Sequence, residues 1–196
     1  MLLRILGFAD RAAPVPHCRI VHALPPPPPD PDAYRFEIGA SPWGGGGLLV
    51  VSGVTTRCFA VAWDPAMIAL IDPDDVRVGH CGSQTFFETL VMLMAVELWG
   101  VTSHNTVILG DNTAALDEAI NLKGKGTKGP LSQILAVLIV ARTLHLTIGH
   151  LPTEARDAAD ALSRQFEPDN VKPWPLGPEV ARDWPLEIPA MLVWIQ

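Results

Sequence analysis

The stretch His150–Arg164, HLPTEARDAADALSR, decides how the rest of the chain is read. It opens at the end of an apolar run, His145–His150 (HLTIGH), whose length suits a strand. It continues into Glu154–Arg164, where alanines and Leu162 alternate with acids and arginines in the manner of an amphipathic helix. Asp160 lies within that helix, so a strand-end histidine and a helical carboxylate stand ten residues apart.

Working back along the chain, Leu131–Leu144 is an apolar helix that leads into the strand. Before it, NLKGKGTKG is a glycine- and lysine-rich loop, and Asp111–Ile120 has the composition of a helix. Asn105–Leu109 is a short strand. Gln84–Trp99 is a long apolar helix ended by Gly100 as a C′ residue. Tyr34–Ala40, Leu48–Val54 and Arg57–Trp63 are three strands, the first two joined by SPWGGGG as a turn. The order β-β-β-α-β-α-α-β-α implies an α/β protein with a mixed sheet, half antiparallel and half parallel, flanked by helices.

Two segments bracket this core. PPPPPDPD, Pro25–Asp32, is an extended polyproline spacer that sets off an N-terminal arm. Beyond Phe166 the tail is dense in proline and tryptophan, which blocks regular structure yet demands a surface to pack on, in the domain or in a partner. The expected division is therefore an arm and linker over 1–32, a core over 33–166 and a tail over 167–196.

Composition narrows the function. The 196 residues are 48% hydrophobic and 18% charged, with mean hydropathy +0.25, enough apolar material for a sizeable core. The net charge of −7 argues against a dedicated nucleic-acid binder, since phosphate neutralisation dominates such affinity; contact with nucleic acid requires a local basic patch. Cys18, Cys58 and Cys81 form no metal or redox pattern and suit a reducing compartment. The start, MLLRILGFADRAAPVP, has too short an apolar run for a secretory signal, so an intracellular location, nuclear or cytoplasmic, is expected; Arg4, Arg11 and Arg19 leave an organellar leader as the alternative. No stretch suits a membrane span, because Pro130–Leu151 is broken by Ser132, Gln133, Arg142, His145 and His150.

Three acids stand where such a fold could gather them: Glu88 in an otherwise apolar helix, Asp111 after the strand TVILG, and Asp160. Clustered carboxylates suit a pair of hard divalent cations, which at about 3.5–4 Å apart activate a water and stabilise the leaving oxygen of a phosphodiester. Each acid also has a plain structural role open to it: Glu88 in a capping box with Thr85, Asp111 as an N-cap, Asp160 as a solvated helix acid. His150 could be a strand-end residue bonded to backbone.

The local sequence around these residues resembles the ribonuclease H domain of retroelement reverse transcriptases. IGASPWGGGG is similar to that family's first-strand motif, T-D-A-S-P-W-G-x-G-G. Gln84 and Glu88 are similar to its Q-x-x-x-E, LGDNTAAL to its third motif, and HLPTEARDAADALSR to its final H-x-P-G-E-x-N-x-x-A-D-A-L-S-R. The resemblance covers about residues 34–166 and implies a ribonuclease H-like fold with a five-stranded mixed sheet. It implies cleavage of the RNA strand of RNA–DNA hybrids with Mg2+ or Mn2+ held by Glu88, Asp111 and Asp160, and His150 assisting the leaving group. Lys123, Lys125 and Lys128, spaced by glycines in a loop similar to ones in that family, could track a phosphate backbone or form a solvated loop. Ser41, Trp43 and Gly44–Gly47 could let a nucleic-acid backbone approach closely or serve only the turn.

The chain departs from that pattern at its most sensitive point. Gly39 stands where the family has the first-strand aspartate expected to bridge both metals, and glycine has no ligand atom. Glu37 shares its strand face but sits about 6–7 Å back along the strand. Arg156 replaces the usual asparagine and Thr153 the usual glycine. The expectation is a retroelement-derived domain with impaired catalysis. The competing expectation is a non-catalytic subunit that binds protein through its Pro/Trp-rich ends, or nucleic acid weakly.

Overall fold

The computed structural model describes residues 19–20, 34–71, 76–80, 83–100, 105–121, 135, 145–150 and 157–184. In chain order the elements are β1 (Arg19–Ile20), β2 (Tyr34–Ala40), β3 (Gly44–Val51), β4 (Val54–Ala62), α1 (Pro65–Ile71), α2 (Gln84–Trp99), β5 (Asn105–Gly110), α3 (Thr113–Asn121), β6 (His145–His150), α4 (Asp157–Ser163) and β7 (Ala181–Arg182). They build one mixed sheet in the order β1-β6-β5-β2-β3-β4-β7. β2, β3 and β4 run antiparallel; β1, β6, β5 and β2 run parallel, and β7 is parallel to β4. Among the described residues the sheet thus has seven strands rather than five, because two-residue strands from the N-terminal arm and the C-terminal tail extend its edges.

Strand alternation sorts the two faces. Phe36, Ile38 and Ala40 of β2, Leu49 of β3 and Phe59 of β4 point to the face covered by α2. That core also takes in Ile68 of α1, Leu116 of α3, Leu135 and Ile148 of β6, so α2 is surrounded. Its sequence is apolar on every side for that reason. The opposite face carries Leu48, Val50 and Cys58, which pack against Ala159 and Leu162 of α4 and Val180 of the tail.

Several boundaries differ from the sequence expectation for identifiable reasons. Gly44–Gly47 are not a turn but the first half of β3, all buried. The hairpin turns instead at Ser52 and Gly53, both with positive φ, the geometry that closes a tight two-residue loop. A bulge at Thr56 follows, between the pairs Leu49–Arg57 and Val50–Thr55. α2 has the expected bounds, but Gly100 caps it in an extended conformation rather than a left-handed one. α1 was not anticipated. The expected helix over Leu131–Leu144 lies, apart from Leu135, outside the described residues.

The described part of the tail, residues 167–184, packs back on the domain. Asp183 accepts hydrogen bonds from Arg57 and from the Trp99 indole, the latter at 2.7 Å, and its N–H donates to the Cys58 carbonyl. Arg182 stacks 3.8 Å over the Trp174 ring. These contacts hold β7 at the β4 edge despite the surrounding prolines. Among the described residues no helix is long and apolar enough to cross a membrane.

Candidate functional site at the carboxyl ends of the parallel strands

The candidate residues gather at one end of the sheet. β5 and β6 run in register to the pair Gly110–His150, which puts Asp111, the next residue, beside His150. β2 and β5 pair up to Glu37–Leu109, so Gly39 reaches the level of Asp111. Glu88 arrives from the α2 face and Asp160 from the α4 face.

Glu88 is 1% exposed, and its Oε1 accepts the Ala40 N–H at 3.0 Å and the Gln84 side-chain amide at 3.4 Å. The same amide donates to the Ala40 carbonyl at 2.7 Å. Gln84 and Glu88, one helical turn apart, therefore grip both polar groups of one β2 residue and fix α2 to the end of that strand. This excludes the capping box with Thr85: the N-cap is Ser83, without a side-chain bond, and Glu88 is five positions into the helix.

Asp111 is not an N-cap either. Asn112 fills that role for α3, its Oδ1 accepting the Ala115 N–H at 3.1 Å. The Asn112 amide also donates to the Thr85 hydroxyl at 3.4 Å, which ties the start of α3 to the first turn of α2. His150 is exposed at its strand end.

Asp160 is engaged. Arg164, one turn on, donates from Nε to both of its carboxylate oxygens at 2.8 and 3.0 Å and from NH1 to Glu167 at 3.1 Å. The hydrogen bond to Asp160 is the main reason the Arg164 guanidinium holds its proton even above its ordinary range. Glu37 is engaged too, its carboxylate paired with Arg35 at 2.9 Å, which leaves it bound along the strand rather than reaching forward to position 39.

Gly39 lies directly under α4. A Cβ there would sit 3.1 Å from the Ala159 carbonyl oxygen and 3.4 Å from the Asp160 nitrogen. These residues do not fit a pair of divalent cations: position 39 offers no side-chain oxygen, and helix backbone crowds the space beside it. Among the described residues no three His, Cys, Asp or Glu side chains converge as a metal site.

The expected nucleic-acid residues divide. Ser41 is 1% exposed, and its hydroxyl donates to the Ser163 carbonyl at 2.7 Å while accepting the N–H groups of Trp43 and Gly44 at 3.2 Å. Its carbonyl accepts the Trp63 indole N–H at 2.9 Å. Ser41 is thus a knot joining the β2–β3 turn, β4 and the end of α4, a role that depends on a partner 122 residues away. Trp43 is half-buried, its ring against Gly79, whose φ of 82° and lack of a side chain admit it. Lys123, Lys125 and Lys128 lie outside the described residues.

No protein-family model matches the sequence, and no curated protein matches it. The structure itself is an α/β fold with a mixed sheet flanked by helices, an architecture compatible with the resemblance in the motifs.

Proposed function

We propose that the chain is a ribonuclease H-like domain of retroelement descent whose ancestral reaction, hydrolysis of the RNA strand of RNA–DNA hybrids, is severely impaired. The observation that carries this reading is the gathering of Glu88, Asp111, His150 and the Asp160 turn of α4 around the Gly39–Ala40 end of β2. Those residues come from four separate stretches of chain and were singled out by three separate motifs, with the first-strand motif supplying Gly39 and Ala40. The impairment follows from Gly39, which offers no ligand atom, and from Arg35 on Glu37, which keeps the neighbouring carboxylate from replacing it. A reacting group displaced by about 1 Å already costs on the order of a hundredfold in rate, and a missing ligand costs more.

The test is cleavage of an RNA–DNA hybrid in Mg2+ or Mn2+ by the full chain beside a Glu88→Gln/Asp160→Asn double variant. Both are expected to leave the hybrid intact to the same degree. Metal-dependent cleavage by the wild type that the double variant lacks overturns the impairment.

A second reading is a non-catalytic subunit that works through protein contacts, favoured by Val171 and Trp184, which stand 94% and 82% exposed on the folded-back tail. Native full-length protein that purifies as a monodisperse monomer, free of other protein or nucleic acid, counts against it.

A further inference from the structure

We infer that Gly39 is now a packing residue: it completes a three-glycine seat for α4 that closes the ancestral cation position. The inference rests on the impaired ribonuclease H-like reading and says what the glycine does in place of the lost carboxylate.

Gly39 of β2 and Gly46 of β3 are cross-strand partners, and Gly44 lies two residues from Gly46 on the same face. A Cβ on Gly46 would come within 2.5 Å of the Leu162 Cβ and 2.9 Å of the Ser163 nitrogen. One on Gly44 would meet the Val61 carbonyl oxygen of β4 at 2.6 Å, the Phe166 ring at 2.7 Å and the Ser163 carbonyl oxygen at 3.1 Å. With Gly39 under Ala159 and Asp160, three bare Cα atoms support α4 from its middle to just past its end.

The contact at Gly39 is the mildest of the three, so α4 need yield only a few tenths of an ångström to admit a side chain. Three ties oppose that shift. Ser41 holds the Ser163 carbonyl at 2.7 Å. Ala159 and Leu162 are fully buried against Leu48, Val50 and Cys58. Gly46 leaves Leu162 no slack. A carboxylate at position 39 must therefore displace helix backbone before it can offer an oxygen to a cation. Side-chain size rather than charge governs the position.

The experiment follows thermal unfolding of the wild type, Gly39→Ala and Gly39→Asp, each with and without millimolar Mn2+, and counts bound Mn2+ by electron paramagnetic resonance. The wild type is expected to bind no Mn2+ and to keep its Tm when the cation is added. Gly39→Ala is expected to melt below the wild type, and Gly39→Asp at or below Gly39→Ala with no recovery by Mn2+. The inference is overturned by an alanine variant as stable as the wild type, by a wild type that Mn2+ stabilises, or by stoichiometric Mn2+ on Gly39→Asp. A Gly39→Asp chain that does not fold agrees with it, and the alanine variant then measures the packing by itself. Wild-type cleavage of the hybrid would overturn the impaired reading. Mn2+ on Gly39→Asp with an inert wild type would overturn only the seat.

Discussion

Gly39 on β2 and Gly46 on β3 face each other in antiparallel register, and both turn a bare Cα towards α4. The two strands can therefore lie closer to the helix backbone than strands with side chains would allow. Replacing Gly46 with alanine forces a methyl to within 2.5 Å of the Leu162 Cβ and against the Ser163 backbone, a larger overlap than at Gly39. Overpacking of this kind costs about 1–3 kcal/mol. Gly46→Ala is expected to lose more stability than Gly39→Ala in urea unfolding, with the m-value unchanged.

Glu88 is gripped by its structural work. Glu88→Ala leaves the Ala40 N–H buried without its acceptor, which costs about 1–3 kcal/mol. Glu88→Gln keeps an oxygen at the acceptor position and is expected to cost less than the alanine change. Equilibrium unfolding of the two variants checks the order. Equal losses would mean that the negative charge, rather than the hydrogen bond, holds α2 to β2.

Ser41 offers a test of whether a motif residue serves the fold or a ligand. Its hydroxyl is enclosed and joins the turn to the end of α4. Ser41→Ala strands the Ser163 carbonyl and two N–H groups, so a loss of about 1–3 kcal/mol is expected. The Trp43 and Gly44 N–H groups, which lose their acceptor, should exchange faster, and hydrogen exchange reads this directly. Unchanged stability with weakened binding to an RNA–DNA hybrid would instead assign Ser41 to nucleic acid.

Much of the fold was legible because hydrophobic periodicity and chain punctuation carried it. Tyr34–Ala40, Gln84–Trp99 and His145–His150 have the bounds their patterns suggest. Gly44–Gly47 misled because glycine is a turn residue by local propensity, whereas here its absent side chains answer helices on both faces: Val91 and Trp63 approach Gly45, and Leu162 approaches Gly46. β7 was hidden by prolines, since what holds it is Asp183 reaching Arg57 and Trp99 from more than 80 residues away. In the site, residue types and their common end of the sheet could be read from motifs. The engagement of Asp160 by Arg164 was within reach of i,i+4 spacing. The seating of α4 on Gly39 was not, because it depends on a close approach between segments 120 residues apart in the chain.

Cys58 gives a prediction with a definite sign. The thiol is fully buried on the α4 face, and burial is the largest cause raising its pKa above the ordinary value. Asp183 adds to the rise and Arg182 opposes it without cancelling it. Because the thiolate is the reactive form, iodoacetamide should alkylate Cys58 more slowly in the native protein than in denaturant at the same mildly alkaline pH. Peptide mass spectrometry reads this residue separately from Cys18 and Cys81. A raised folded-state pKa also means that the folded state holds the proton more tightly than the unfolded one. The resulting stabilisation is fully present below the unfolded thiol's pKa and is lost as pH rises through the folded value. Cys58→Ala should flatten that alkaline decline while lowering stability at neutral pH through the cavity it leaves. Fast native alkylation, or an alkaline decline identical in both proteins, would show that the thiol is open to solvent and that the tail does not cover the Cys58 edge of β4.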